Sequence, residues 1–218
     1  PGDPSANLDT DGDSQLAISE NLSNTIINDR GYIIEASDVI YVSVRFRSSL
    51  PNQYQAGALV SKGLSALGTQ FRVGGMATEN NNSPGGFLTY TSVMATEDDT
   101  NISFEDFPTG ITIINHTGST PINVNLSEGE SYMIAVGSNN GGIPNDLIGS
   151  LVSSDKPIVV NSGSGTGSFA DGTSGRDFGI DQIVDFSKVG NEYIFVKGNG
   201  GATGNSWENV LVVAHQDN

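Results

Sequence analysis

Residues 9–20, DTDGDSQLAISE, place acidic side chains much as a twelve-residue calcium loop places its oxygen ligands. Carboxylate oxygens are the ligands that Ca²⁺ prefers in proteins. However, Ser14 holds the loop position where the sharp turn of an EF-hand uses glycine, and PGDPSAN ahead of the segment cannot form an entering helix. We therefore favour an acidic hairpin turn at Asp11-Gly12. A surface calcium site remains the alternative, and its ligands would be Asp9, Asp11 and Asp13.

Residue types suited to covalent or acid–base catalysis are scarce. The chain has no cysteine, no G-x-S-x-G elbow and two histidines, His116 and His215, both in predicted strand or turn positions. GTGSFA at 165–170 fits a dinucleotide fingerprint, but the loop-forming DGTSGRDFG follows where such a site needs a helix. The sequence therefore predicts no enzyme and no cofactor, apart from the calcium alternative.

Two loops are the expected ligand-binding regions. The Gly- and Ser-rich stretch 162–179 is predicted to be a long mobile loop, and 47–57 is its counterpart after another strand. Loops that a β-scaffold holds in place often carry binding. Their polar and aromatic groups, with one tryptophan from a further loop, give the candidate ligand-binding residues Tyr54, Asp171, Arg176, Asp177 and Trp207.

The net charge excludes several partners. Nine Lys and Arg residues stand against 25 Asp and Glu residues, which gives a formal net charge of -16. Such a surface repels nucleic acids and anionic lipids. No stretch approaches the roughly 20 apolar residues of a membrane helix. High acidity without cysteine is typical of a bacterial protein that is secreted or displayed at the cell surface.

Short runs of β-branched residues, bounded by Gly, Asn, Asp, Ser or Pro, predict an all-β fold of antiparallel sheets. The predicted strands lie at 32–46, 91–98, 100–106, 110–116, 121–126, 131–136, 150–162, 192–198 and 209–216. Only 60–68 and 180–190 have room for one helical turn each. Tight hairpin turns are expected near 11–12, 98–99, 128–129 and 154–155.

The chain also resembles itself. Four blocks match four others in the same order: TDGDSQLAI with SEGESYMIA, NDRGYIIEASDVIYVSV with NDLIGSLVSSDKPIVVN, ALGTQFRVGG with KVGNEYIFVKG, and VMATEDD with VVAHQDN. This pattern predicts a duplication with a period of about 118 residues. The first repeat, entered at its hairpin, would occupy residues 1–146, and a truncated second repeat 147–218. The units are predicted to be β-sandwich-like, with propeller-like blades as the alternative.

LVSSDKPIVVNSG, ALGTQFRV, VMATEDDTNISF and LSEGESYMI resemble repeats of the domain at the N-terminus of the IgG-Fc-binding protein. Similar domains occur in large secreted or surface proteins of Bacteroidota, often ahead of gliding-motility-type sorting domains. The resemblance implies an extracellular, repeat-built module without catalysis. It does not extend to IgG binding, because no residue here can be mapped to that activity.

Together these features predict an adhesion or binding module whose partner is a glycan, a cell-surface protein or a neighbouring copy of the same protein. The alternative is an architectural role, in which repeats stack into a stalk or filament without a specific ligand.

Overall fold

The computed structural model describes residues 20–28, 30–47, 56–75, 88–137, 147–167, 177–196 and 210–216. Short 3₁₀ turns lie at Glu20–Leu22, Gly63–Ala66 and Phe186–Lys188. The strands are β1 (Ile26–Ile27), β2 (Ser43–Arg47), β3 (Ala56–Val60), β4 (Gly68–Arg72), β5 (Leu88–Ala95), β6 (Thr100–Glu105), β7 (Ile122–Leu126), β8 (Ser131–Gly137), β9 (Leu151–Gly167) and β10 (Asp177–Gln182).

The 17-residue strand β9 organises the main sheet. Ile158 pairs with Gly68 of β4 and with Ala95 of β5, while Ser153 pairs with Gln70 of β4 and with Ser103 of β6. A strand has only two edges, so β4 lies along one edge and β5 and β6 share the other. The second half of β9 pairs with β5 and with β10. All these pairings are antiparallel.

The main sheet bends across its middle. β5 is followed in the chain by β6, and β7 is followed by β8. β6 pairs with β7, and β5 pairs with β8. Residues 96–99 and 127–130 therefore join successive halves of two bent strands. β9 passes beside them at Pro157, where its register with β4 shifts. Proline cannot donate to a strand ladder, and the Pro157 carbonyl accepts from the Thr96 hydroxyl at 2.7 Å. The bends fold the sheet into a nearly closed, barrel-like form.

The bent sheet encloses one apolar core. Side chains alternate inward and outward along β5 and β6, as the pleat of a strand requires. Phe71 of β4 and Phe104 of β6 are fully buried, and the Phe104 ring lies 5.9 Å from the ring of Tyr132 on β8. Because these rings come from opposite halves of the bend, their packing fixes how the halves fold together.

A second sheet consists of the β2–β3 hairpin, whose pairing register matches that of the β9–β10 hairpin in the main sheet. In the β2–β3 hairpin Ser43 pairs with Val60, and in the β9–β10 hairpin Asn161 pairs with Gln182. Three further pairs follow in step, ending with Phe46–Gly57 in one hairpin and Ser164–Gly179 in the other. A 3₁₀ turn follows each hairpin. The two hairpins therefore share strand order, register and the element that comes next.

The all-β, antiparallel prediction is confirmed, and so is the single helical turn in each of 60–68 and 180–190. The hairpin turns predicted at 98–99, 128–129 and 154–155 are wrong, because these sites are bends within continuing strand paths. The pair at 11–12 lies outside the described residues. The duplication, the two-repeat division and the sandwich arrangement stay predictions. Notably, β9 follows residue 146 and yet pairs with β5 and β6, so one sheet takes strands from both predicted repeats.

Four predicted strands are not strands over most of their described length. Only 43–46 of the 32–46 run is β-structure, and the described parts of 192–198 and 209–216 carry no strand pairing. The 110–116 run contributes a single bridge, between Ile113 and Val136. The local sequence favours strands at these places, but a strand also needs a partner edge.

Candidate functional site

Several strands of the main sheet start or finish at one end of the fold. Leu88, the first residue of β5, pairs with Gly137, the last residue of β8. Thr89 pairs with Ser164 near the finish of β9, and Gly167, which closes β9, pairs with Asp177, which opens β10. The chain segments 76–87, 138–146 and 168–176 therefore attach to the scaffold at neighbouring points.

The β2–β3 hairpin adds a fourth segment to this end. Gly57, just after 48–55, lies so close to β10 that a Cβ atom there would sit 2.3 Å from the Phe178 carbonyl oxygen. Just beyond the last residue of β3, the Lys62 ammonium contacts the carboxylate of Asp181 in β10 at 2.8 Å. β3 and β10 thus run side by side in the same direction. We call the attachment points of 48–55, 76–87, 138–146 and 168–176 the loop end.

The scaffold beneath the loop end is closely packed. A Cβ atom on Gly163 would lie 1.9 Å from the Gly179 carbonyl oxygen, so the β9–β10 ladder excludes a side chain there. The ring of Tyr90 stacks on Phe178 with 6.1 Å between centroids. Burial raises the pKa of the Tyr90 phenol above its ordinary value. The strands beneath the loop end are therefore closely packed against one another.

The predicted ligand-binding residues are only partly located. Asp177 opens β10, whereas Tyr54, Asp171, Arg176 and Trp207 lie outside the described residues. The prediction of one long loop over 162–179 is wrong at both ends, because residues up to Gly167 belong to β9 and those from Asp177 belong to β10. Gly and Ser in this stretch let two strands approach closely, as at Gly163. A Gly- and Ser-rich sequence is typical both of such a close approach and of a loop, so the sequence alone does not distinguish the two.

The calcium alternative falls on residues that the structure does not describe, namely Asp9, Asp11 and Asp13. Within the described ranges, no group of three or more His, Asp or Glu side chains is placed to hold a metal ion. Calcium binding therefore stays a prediction about the N-terminal acidic segment.

Apart from the loop end, a polar surface covers the outer side of β6, β7 and the first half of β9. It forms an open depression of about 590 Å³. Its outward polar residues, which we call the amide face, are Asn101, Ser103, Asn123, Asn125, Ser153 and Asp155. Alternation along the strands puts these side chains outside while Ile102 and Phe104 face the core.

The amide face uses much of its hydrogen-bonding capacity on itself. The amide of Asn101 donates to Asp155 at 2.7 Å, and the amide of Asn125 donates to Asn101 and to Asp99 at 3.0 and 2.8 Å. Hydrogen bonds from the side chain and backbone N–H of Asn101 lower the pKa of Asp155. A ligand would have to compete with these bonds, so the face is better suited to holding the bend than to recognition.

The structure reveals a buried acid that the sequence did not single out. Asp185 caps the 3₁₀ turn at Phe186–Lys188 and also accepts from the backbone N–H groups of Thr69 and Gln70 at 2.8 and 3.0 Å. Its carboxylate is satisfied by donors and faces no reactive partner among them, which makes it a structural group.

Each of the two histidine rings contacts a neighbouring group that has no catalytic role. His116 lies in the connection between β6 and β7, with Nε2 3.3 Å from the Ser119 carbonyl oxygen. The ring of His215 stacks on Phe186 with 3.6 Å between centroids. Neither contact includes a carboxylate that would orient the imidazole for acid–base work.

Comparison with known proteins gives one match. A family model described as IgGFc binding protein matches residues 57–218, which include β3 from its second residue and all the later strands. No curated protein and no solved structure matches the chain. The family is one of binding domains and is not an enzyme family.

Proposed function

Because the chain belongs to the IgGFc binding protein family, we propose that it is a binding module without turnover that meets its partner at the loop end. The observation that carries this proposal is the attachment of four chain segments at neighbouring strand termini. Adjacent segments held by a rigid β-scaffold can form one composite surface.

The composition of these segments supports recognition of polar groups. Asn, Gly and Ser make up 16 of the 30 residues in 76–87, 138–146 and 168–176 taken together. Such residues supply adaptable hydrogen bonds, and aromatic side chains add rigid contact area. Tyr54 and Arg176 belong to the segments of the loop end, and Asp171 and Asp177 would add carboxylates. Trp207 lies in 197–209, which is a further candidate segment for glycan stacking.

The proposed partner is a protein or glycan at a cell surface. The charge of -16 opposes nucleic acids and anionic membranes. Among the described residues, no helix has the length and apolar character that crossing a membrane requires. The chain has no cysteine and a high acid content, which support an origin in a larger extracellular protein of a bacterium. The family description makes the Fc fragment of immunoglobulin G the first protein probe.

Partner binding is tested on immobilised Fc fragment and on a glycan array, each with and without EDTA. In the first variant a short Gly/Ser linker replaces 168–176. In the matched control variant Asn123→Ala alters the amide face, where Asn123 is exposed on β7. We expect the linker to lower binding at least tenfold and the control to leave it unchanged, with equal melting temperatures. Equal binding by the native chain, the linker variant and Asn123→Ala would show that the partner binds outside 168–176 and would contradict binding at the loop end.

Calcium is a separate part of the proposal. The two explanations for Asp9, Asp11 and Asp13 differ in one measurement, the melting temperature in EDTA against millimolar Ca²⁺. We favour the hairpin and expect equal melting curves. An extracellular site would bind with Kd of about 10⁻⁴–10⁻³ M and would raise the melting temperature at millimolar calcium.

A second candidate function is architectural. Its support is the exposure of apolar side chains in the segments 31–42, 189–196 and 210–213, where Val39, Val196 and Val212 are examples. Contiguous apolar surface on a highly charged protein marks an interaction site. If the chain is a duplicated module, as the matched hairpins support, these segments belong to units that other copies complete.

A further inference from the structure

The outer edge of β7 is open. Among the described residues β7 pairs with β6 alone, and the strand order of the main sheet ends at β7. A strand with one free edge presents backbone N–H and C=O groups that another strand can pair with. The pairing of β6 identifies the residues that carry these groups.

Asn123 and Asn125 carry the open backbone groups. The N–H of Asn101 on β6 points toward β9, because it donates to a carboxylate of that strand at 2.8 Å. Successive residues of a strand direct their backbone groups to alternate edges, so Ile102 points toward β7 and its partner Val124 points back toward β6. The asparagines on either side of Val124 therefore point to the outer edge. Within the described part of the chain neither backbone N–H has a hydrogen bond.

The open stretch is short and has defined limits. Pro121, just before β7, has no N–H to donate. At the other end the backbone N–H of Ser127 donates to the Glu130 carboxylate at 2.7 Å. Two donors and two acceptors remain between these limits, enough for an extended segment of about three residues. We call this stretch the β7 edge; it consists of Asn123, Val124 and Asn125.

The core is incompletely covered beside the β7 edge. Ile122 and Leu126 point into the core and are 4% and 0% exposed. Val124 lies between them on the same face of β7 and is only partly buried. Asn123 and Asn125 lie on the outer face, where both are exposed. A strand added here would cover Val124 with an apolar side chain and would direct the two neighbouring side chains outward.

The outer face next to the β7 edge is acidic. The Asp99 carboxylate accepts from the side-chain amide of Asn125 at 2.8 Å, and the Glu105 carboxylate accepts from the Ser153 hydroxyl at 3.1 Å. Within the described ranges neither carboxylate forms an ion pair. The cation of this region, Lys156, directs its ammonium to a backbone carbonyl at the bend. Basic side chains on the added strand would therefore find opposite charges on this face.

We propose that the β7 edge is a strand-addition site for an extended basic peptide of a partner protein. The peptide pairs antiparallel to β7, like every ladder of the main sheet, with Lys or Arg opposite each asparagine and an apolar residue opposite Val124. Backbone hydrogen bonds supply the affinity, and alternation and charge supply the selectivity. A second copy of this chain is disfavoured as the occupant, because two chains of charge -16 repel each other.

Strand addition is compatible with the other roles of this region. It uses the free backbone edge of β7 and leaves in place the side-chain bonds by which Asn101 and Asn125 hold the bend. It does not rest on binding at the loop end, whose linker variant in 168–176 keeps the β7 edge unchanged.

The site is tested by fluorescence anisotropy of the intact chain with a labelled, end-capped peptide, Lys-Val-Lys-Val-Lys. The salt is about 0.15 M NaCl, which screens charges beyond roughly 8 Å. We expect saturable binding that weakens about tenfold or more for Glu-Val-Glu-Val-Glu. Equal binding of the two peptides would overturn the charge assignment, and absence of binding by both would overturn the site.

Methylation of the peptide backbone separates strand pairing from general attraction, because it leaves the charge of the peptide unchanged. In the proposed register the lysine N–H groups face β7 and the valine N–H groups face away. Nα-methyl groups on the lysines should weaken binding about tenfold or more, since they remove the paired donors. The matched control carries the methyl groups on the valines and should bind nearly as well as the unmodified peptide. Equal loss, or no loss, from the two modifications would contradict the register.

Asn123→Pro tests the edge of the protein itself. Proline is tolerated where an edge N–H faces outward, so the variant should melt near the native temperature. We expect it to bind Lys-Val-Lys-Val-Lys about tenfold more weakly, since a donor is lost and the ring obstructs the added strand. Asn123→Ala removes the same side chain, keeps the donor and should bind as the native chain does. All three chains have the same charge, so equal binding would leave only general attraction and would overturn strand addition.

The acidic contact and the identity of the occupant have separate tests. Asp99 has a φ of 54°, which asparagine also adopts, so Asp99→Asn should fold and keep an acceptor for the amide of Asn125. We expect it to bind the basic peptide about threefold to tenfold more weakly. In sedimentation the native chain should stay monomeric. A native dimer that Asn123→Pro abolishes would show that a second copy occupies the β7 edge and would overturn the peptide as occupant.

Discussion

The carboxylate of Asp185 accepts a hydrogen bond from the backbone N–H of Thr69 at 2.8 Å, which joins the turn after β10 to the start of β4. Gly68 makes this possible, because a Cβ atom there would lie 2.1 Å from the Asp185 carboxylate. The contact brings together residues far apart in sequence and anchors β4 beside β9. Since β4 carries Phe71 into the core, this hydrogen bond helps to hold that side chain in place.

Removing the charge of Asp185 should destabilise the fold. The carboxylate also accepts from the backbone N–H of Gln70 and of Ser187 at 3.0 and 2.9 Å, and its residue is 4% exposed. Hydrogen bonds to a buried charged group are worth roughly 1.5–3 kcal/mol each, with incomplete additivity. We expect Asp185→Asn to lower the free energy of unfolding by about 2–3 kcal/mol in urea titrations at pH 7. The exposed control, Glu97→Gln, should change it by less than about 0.5 kcal/mol.

The stabilisation from Asp185 should depend on pH. Burial raises the pKa of the carboxyl group, but hydrogen bonds from Ser187, Gln70 and Thr69 outweigh burial, so the folded pKa lies below its ordinary value. A lowered folded pKa stabilises the protein above the unfolded pKa of about 3.9 and ceases to do so as the pH falls through the folded pKa. The stability difference between native chain and Asp185→Asn should therefore shrink below about pH 4. A difference that stays constant down to pH 2 would contradict the assignment.

Counterpart residues should respond unequally to truncation. Phe71→Ala removes a fully buried ring and should cost about 3–5 kcal/mol of unfolding free energy. Tyr193→Ala, at the aligned position, should cost less than about 0.5 kcal/mol in monomeric protein, because its side chain is largely exposed. Chemical denaturation at low protein concentration measures both. Similar losses at the two positions would mean that 189–196 already packs into a core.

Gly163 should not tolerate a side chain. A Cβ atom there would meet the Gly179 carbonyl at 1.9 Å, and backbone atoms of a paired strand cannot move aside cheaply. We expect Gly163→Ala to destabilise the protein by about 3 kcal/mol or more. Gly190→Ala is the matched control, because its nearest neighbours would lie 3.9 Å away, in ordinary contact. Thermal melts of the two variants should differ by several degrees.

The sequence predicted where β5 to β9 lie along the chain. It did not predict that the chain bends between them instead of turning back in hairpins. β-branched alternation located β5 to β9 well, because inward and outward positions differ chemically. The turn residues Asp98, Asp99 and Gly129 correctly marked changes of direction, but a bend and a hairpin use the same residue types. Which edge each strand meets depends on long-range packing, such as that of Phe104 on Tyr132.

The candidate site was predictable only in part, because the positions of its segments also depend on contacts between residues distant in sequence. Gly- and Ser-rich composition marked 162–179, yet Gly163 and Gly179 serve close strand approach inside a ladder. The aligned hairpins placed 48–55 and 168–176 as counterparts. That 76–87 and 138–146 attach nearby became visible only through pairs of strand ends such as Leu88 with Gly137. The role of Asp185 left no local signal, because its partners on β4 are distant in sequence.

The most direct test of the loop end is the hydrogen-exchange footprint of a bound partner. Exchange is measured for the native chain alone and with a saturating partner, either the Fc fragment or the glycan that the array selects. The account predicts slowed exchange in peptides spanning 47–57, 76–90, 137–147 and 164–179, with exchange across β6 and β7 unchanged. Slowed exchange confined to β6, β7 and the first half of β9 would place the partner on the amide face and contradict the account.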